Sequence, residues 1–244
     1  VDSSNYTSFD FYNATSGAGL PASLKNESRC ELAAATIWPK ANDSGPLAVL
    51  VQKNGLTFFS QKTNTNPLQF LTPMHQQKIK TWRAENVKAF PKGAADMGLS
   101  LSMDEDLRYL VLNENNTCIN FIQYAYGYSG GAHGNAGSDI LAIDKRNNKQ
   151  LQLADVFNPA GIKTLPSLLE KAARSQFCIA ANAALDDRLL VKTIQPAKQF
   201  FVTGAGIGFW YNAYEIASYA DGDVVLFIPF SSLAKYLQPS FIKK

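Results

Sequence analysis

The chain has 244 residues, 46% of them apolar and 18% charged, with a formal charge of +3. That is enough apolar material to build a core, in one large domain or two small ones. The small charge, with no basic run among aromatics, gives no nucleic-acid footprint, and no apolar stretch approaches the ~18 residues of a membrane span.

Residues 1–28 are rich in Ser, Asn, Thr and Gly and read as a flexible spacer, either what remains after a signal peptide or lipid-anchor segment is removed or an arbitrary boundary. Tyr6, Phe9, Phe11 and Tyr12 argue that part of it docks. Cys30 to Trp38 reads as a strand stopped by Pro39. Leu47 to Phe59 suits a buried strand or a helix segment, and Asn54-Gly55 favours a hairpin. Thr72-Pro73 opens a helix that runs to Phe90 and stops at Pro91-Lys-Gly93. Leu99 to Met103 and Leu107 to Leu112 read as strands joined by an acidic turn, Asp104-Glu-Asp106, and Asn113-Glu-Asn-Asn116 turns the chain into a strand beginning near Cys118.

That strand carries Tyr124, Tyr126 and Tyr128 at period two, so their rings share one sheet face. Gly130-Gly131 then breaks the ladder, because glycine moves freely to positive φ, and lets His133 and Asn135 turn back over that face. Asp139 to Ile143, a polar turn at 144–149, and an alternation at Leu151 and Leu153 continue the sheet. The strongest helix is expected from a Thr164 cap, with Pro166 in its first turn and Leu165, Leu168, Leu169, Ala172, Ala173 and Phe177 at helical spacing. Gln199 to Thr203 and Ile207 to Tyr211 form a hairpin, Val224 to Ile228 a strand, and Leu233 to Leu237 a short helix. The architecture is α+β, an antiparallel sheet with helices on one face, in one domain or two subdomains.

Cys30, Cys118 and Cys178 are too few for a disulfide scaffold or zinc site; one bridge is open among three pairings, and Cys30 with Cys118 is favoured because each lies by a strand. Gly127-Tyr-Ser-Gly-Gly131 satisfies the nucleophile-elbow pattern around Ser129, but glycines follow it where a helix must, and neither His75 nor His133 falls in hydrolase order. Two histidines do not make a catalytic zinc site, so no metal and no cofactor is expected, and His133 is expected to tie the glycine corner by a hydrogen bond. The tyrosines are the feature with binding chemistry, since tyrosine offers rigid area with a polar tip; the plainer reading is a half-buried face covered by the Leu165–Phe177 helix. Tyr211, Tyr214, Glu215 and Tyr219 make a second cluster in a loop.

Tyr126-Gly-Tyr-Ser-Gly-Gly-Ala-His-Gly134, Ala142 to Phe157 with its Leu-x-Leu-x-Asp-x-Phe ending, Phe209 to Gly222 with Tyr-Glu-Ile-Ala-x-Tyr-Ala, and Ile228-Pro-Phe-Ser-Ser-Leu233 resemble a bacterial extracytoplasmic family long known as a domain of unknown function. The same module resembles the extracellular part of RsiV-like anti-sigma factors, which bind lysozyme, and the non-catalytic region of PdaC-like peptidoglycan deacetylases. The resemblance covers the C-terminal half, taken as residues 113–244, with residues 29–112 as a companion α+β subdomain. It implies export to the periplasm or cell surface, with an outer-membrane lipoprotein among the options, and a non-enzymatic binding role at the wall. No membrane span, anti-sigma region or deacetylase histidines accompany it.

The expected partner is a wall-directed protein such as lysozyme, or a peptidoglycan fragment, with no nucleic acid. Tyr124, Tyr126, Tyr128, His133, Asn135, Tyr211, Tyr214 and Glu215 are the expected contacts, and Gly130, Gly131, Asp155 and Phe157 the structural residues. Two alternatives stand beside it: a wall-active hydrolase using Ser129 or the carboxylates of Asp139 and Glu215, and an immunity protein or inhibitor that plugs a wall-degrading enzyme.

Overall fold

The computed structural model describes residues 7–24, 26–62, 66–89 and 101–242. Strands β1 (Phe9–Gly19), β2 (Arg29–Pro39), β3 (Met103–Glu114), β4 (Cys118–Tyr128), β5 (Asn135–Asp144) and β6 (Lys149–Gln150) lie in that order in one sheet. A second sheet holds β7 (Phe200–Val202), β8 (Gly206–Tyr211) and β9 (Val224–Pro229), all antiparallel. The α-helices are α1 (Pro46–Phe58), α2 (Leu68–Ala89), α3 (Leu153–Val156), α4 (Pro159–Gln176), α5 (Phe230–Leu233) and α6 (Pro239–Ile242). The class is α+β, as expected. The chain forms two compact units: an N-terminal one of Ser8–Leu110 and Gln123–Gly137, and a C-terminal one of Thr7, Val111–Ile122 and the chain from Ser138. It passes between them within β3, β4 and β5, not once near residue 112.

In the N-terminal unit the expected spacer carries β1, which pairs antiparallel with β2 without interruption from Phe9–Pro39 to Gly19–Arg29. Its low hydrophobicity misleads because Phe11, Asn13, Thr15 and Gly17 face solvent, where a strand tolerates polar residues. β2 and β3 run parallel, which demands a crossover, and α1 and α2 lie in that connection. Asn54-Gly55 makes no hairpin turn. Gly55 is buried within α1, where a Cβ would stand 2.6 Å from Trp38 Cζ3 and 3.2 Å from Tyr109 Cδ1, so its missing side chain lets the helix approach the sheet. α2 begins at Leu68, whose amide bonds Asn66 Oδ1 at 2.9 Å, so Pro73 lies inside the helix. The expected stop at Phe90 to Gly93 and the strand start at Leu99 lie outside the described residues. Asp104 to Asp106 are strand, not turn: Lys78 pairs with Glu105 and Arg108 with Asp106, which makes the acidic run tolerable in a ladder.

In the C-terminal unit α4 lays Leu165, Leu169 and Ala173 against a core that includes Phe157, Phe209 and Leu226. Asn158, not Thr164, caps it, accepting the Gly161 amide at 2.8 Å, with Pro159 in the first turn and Pro166 left inside. The pairing with β5 carries on through the Leu151 amide, which donates to Ala142 O at 2.8 Å, but Leu153 does not continue the sheet. α3 intervenes, closed by a capping box in which Asp155 Oδ2 accepts the Gln152 amide at 2.9 Å. Phe157 follows, buried 6.2 Å from the Phe209 ring. The helix expected near Leu233 to Leu237 begins earlier, at Phe230, as α5, and α6 follows it.

Buried Asn120 binds both backbone groups of Val202, donating to its carbonyl at 2.8 Å and accepting its amide at 3.0 Å. One side chain thus replaces a strand partner for β7. The three cysteines are free. Cys30 belongs to the core of Leu32 and Trp82 and Cys118 to that of Phe157 and Leu169, so the favoured bridge is absent. Burial pushes both thiols above the ordinary range.

Candidate functional site

Because side chains alternate along a strand, burying Cys30, Leu32, Ala34 and Thr36 of β2 on the helix side turns Glu31, Ala33 and Ala35 the other way. The register carries this face across the N-terminal unit. Glu31 lies between Gly17 and Asp104, Ala33 between Thr15 and Asp106, and Ala35 between Asn13 and Arg108. The Arg108 guanidinium sits 5.8 Å from the Tyr124 ring, which brings the tyrosine strand onto the same face. An open cleft of about 540 Å³ follows, with Tyr126 along one side and Glu31, Asp104 and Asp106 in its lining.

The small residues Gly17 and Ala33 make the hollow: a Cβ at Gly17 would stand 2.5 Å from Glu31 Oε2. Arg29 pairs with Glu31 at 2.6 Å and Arg108 with Asp106. Asp104 has no cation partner among the described residues, so the face carries three carboxylates against two guanidinium groups. Such a lining accepts hydrogen bonds and favours cationic ligands.

The glycine corner is built from the tyrosines. Gly130 and Gly131 take φ of 94° and 96°, the region glycine enters freely. Tyr128 donates its hydroxyl to Gly131 O at 3.2 Å, and Tyr126 lies so close over Gly134 that a Cβ there would stand 2.4 Å from the ring. His133 is exposed and its Nδ1 donates to Gly134 O at 2.8 Å, the corner bond expected of it. Asn135 is exposed at the start of β5. The apolar cluster under α4 contains none of the β4 tyrosines.

The remaining site residues belong to the C-terminal unit. Tyr211 is a correction: it is buried in the core, its hydroxyl donating to Gln195 O at 2.8 Å, and burial raises its phenol above the ordinary value. A ring facing the interior of β8 makes no contact with a ligand. Tyr214 is 56% exposed at φ 71°, stacked 5.7 Å from Tyr219. Glu215 is occupied locally, its Oε2 accepting the Asn212 amide at 2.9 Å, and Asn212 in turn accepts the Ser138 amide at 2.7 Å. The expected contacts therefore fall into two sets, one in each unit.

Sequence reasoning missed Glu31, Asp104 and Asp106. The signal was the period-two placing of Asp104, Asp106 and Arg108 opposite Met103, Leu107 and Tyr109, which marks a strand with one polar face. The C-terminal unit holds a further cleft of about 700 Å³, lined by Val202, Phe230, Leu237 and Phe241 with Asn116 and Thr203 among its polar groups. Among the described residues no three His, Cys, Asp or Glu gather in a metal-holding group, and no helix is long and apolar enough to cross a membrane.

Residues 154–231 match the model of a family described as a protein of unknown function, DUF3298. A solved DUF3298 family member from Bacteroides fragilis NCTC 9343 is 23% identical over 96% of this chain and 94% of that one, with a TM-score of 0.82. A DUF3298 family protein from Pseudomonas aeruginosa PAO1 is 18% identical over 98% and 99%, with a TM-score of 0.66. No curated protein matches.

Proposed function

We propose that this chain is an exported, non-enzymatic binding domain of the bacterial cell envelope, whose N-terminal unit recognises a wall-directed protein of the lysozyme kind. The observation that carries the reading is the open sheet face, where Asp104 and its neighbouring carboxylates stand beside Tyr126 in one cleft. A basic protein supplies the cation that Asp104 lacks among the described residues, and tyrosine supplies contact area at low entropic cost. The resemblance to lysozyme-binding modules, carried by the glycine corner and the Tyr-Glu-Ile-Ala segment, points the same way. A peptidoglycan glycan is the second reading, favoured by the same pairing of carboxylates with an aromatic ring, because carboxylates accept sugar hydroxyls.

Calorimetry with lysozyme and with soluble peptidoglycan fragments tests the proposal. Saturable one-to-one binding of lysozyme is expected, weakened roughly 30-fold by Tyr126→Ala, the anchor, and a few-fold by Asp104→Asn. The Asp104 contribution is expected to fade as salt rises. Binding of fragments alone would move the assignment to the glycan, and no heat with either, in a protein of unchanged circular dichroism, would overturn the reading.

A further inference from the structure

β1 ends the six-stranded order, so among the described residues its outer side has no strand neighbour. Folded proteins blunt such edges with Pro, Lys, bulges or short strands, because unpaired amides and carbonyls template association. β1 has none of these. Its pairing with β2 runs through all 11 residues without a bulge, it contains no Pro and no Lys, and Asp10 is its sole charge. Among the described residues no backbone hydrogen bond reaches the outer edge between Asp10 and Ala18; the Arg83 side chain covers only the far end, donating to Gly19 O at 3.0 Å. Phe11, beside this edge, is 59% exposed.

We infer that β1 pairs with β1 of a second copy of this chain, antiparallel about a two-fold axis at Ala14. This goes beyond the binding reading above and does not rest on it. A two-fold needs a self-complementary strand, and the charge pattern is one. With Ala14 on the axis, Asp10 faces Ala18 of the copy, so the two carboxylates sit at opposite ends of the ladder; a parallel pairing in register would set them side by side. The same register places exposed Phe11 across from Gly17, where an aromatic ring covers the gap a glycine leaves in a strand, and Asn13 across from Thr15, two short polar side chains on one face. The backbone groups along the edge are then paired over the whole open stretch.

Sedimentation equilibrium on the full chain is expected to give twice the 26.7 kDa of one copy. Changing Asn13→Lys together with Thr15→Lys sets lysine against lysine in this register, and is expected to return a single-copy mass with an unchanged circular dichroism spectrum. Asn13→Glu with Thr15→Glu is expected to be single by itself, and an equimolar mixture of the two variants to recover the doubled mass. A wild-type chain of single mass at tens of micromolar would overturn the proposal, as would variants that stay double alone or a mixture that stays single. If the doubly charged variants fail to fold, Asp10→Lys, at the end of the ladder, is expected to leave the doubled mass in place, and loss of it there would overturn this register.

Discussion

In the C-terminal unit, α4 sets Leu165, Leu169 and Ala173 on an apolar core, and its buried polar anchor, Asn120, has both Val202 backbone groups as partners. In the N-terminal unit, α1 and α2 cover one face of the strands but enclose His75, whose Nδ1 reaches Ser16 Oγ at 3.2 Å while Nε2 has no partner among the described residues. The first arrangement spends nearly all of its burial on hydrocarbon and closed hydrogen bonds. The first buries Asp144 only with Arg146 paired to it, whereas the second keeps an ionisable ring half-satisfied inside and leaves the opposite sheet face open to solvent, with acids and tyrosines on it. A unit that leaves one sheet face open to solvent has only the other on which to build a core.

The comparison breaks most visibly at Leu169. Truncation to Ala in a fully enclosed apolar site is expected to cost about 2–5 kcal/mol, read as a lower denaturant midpoint with unchanged slope. A cost below about 1 kcal/mol would show that the C-terminal core is not packed as described. Gly55→Ala is the counterpart in the N-terminal unit, where two effects oppose. Alanine is the better helix former by about 1 kcal/mol, but its methyl would stand 2.6 Å from the Trp38 ring, a clash whose relief costs about 1–3 kcal/mol. Net destabilisation is expected because the opposing atom belongs to a ring that is itself buried. Net stabilisation would mean that the Trp38 ring has room to move.

His75 sharpens the contrast through pH. Burial disfavours its charged form and lowers its pKa, an effect larger than the opposing pull of Glu105; Lys78 adds to the lowering. The unfolded chain therefore takes up a proton near pH 6.5 before the folded one does. Stability is full above that pH and falls below it, by at most about 1.4 kcal/mol per unit until the folded pKa is reached. Urea unfolding at pH 7.5 and 5.5 is expected to show a loss that His75→Gln abolishes. An equal loss in both proteins would assign the pH dependence to other groups.

Much of this is legible in the sequence. The tyrosine strand, the glycine corner, the β7–β8 hairpin and the apolar face of α4 follow from periodicity and turn chemistry, because each is a local pattern with a local cause. What was not legible depended on distant partners. The Asp104 to Asp106 run looks like a turn until Lys78 and Arg108 are seen beside it, and Asn54-Gly55 looks like a hairpin until Trp38 is seen to need the space. β1 hides because its neighbour is β2, and nothing within its own Asn-Ala-Thr-Ser-Gly says so. For the site, the sequence placed the tyrosines and the corner but overlooked the acids of the cleft and put Tyr211 at the surface. An aromatic residue in a short strand has the same signature on either face.

The smallest effect separates conformation from contact at the corner itself. Gly131 has φ of 96° with nothing within 4 Å of an added Cβ, whereas Gly134 has the Tyr126 ring at 2.4 Å. Gly131→Ala therefore tests backbone strain alone, expected at about 1–2 kcal/mol, and leaves the tyrosine where it is. Gly134→Ala adds no positive-φ strain but must displace Tyr126 from the cleft wall. If the cleft binds its partner through Tyr126, the Gly134 variant weakens binding more than the Gly131 variant does, even where the two lose similar stability. Equal binding by both, with the loss of stability confirmed, would take Tyr126 out of the contact and leave its ring as a support for the corner.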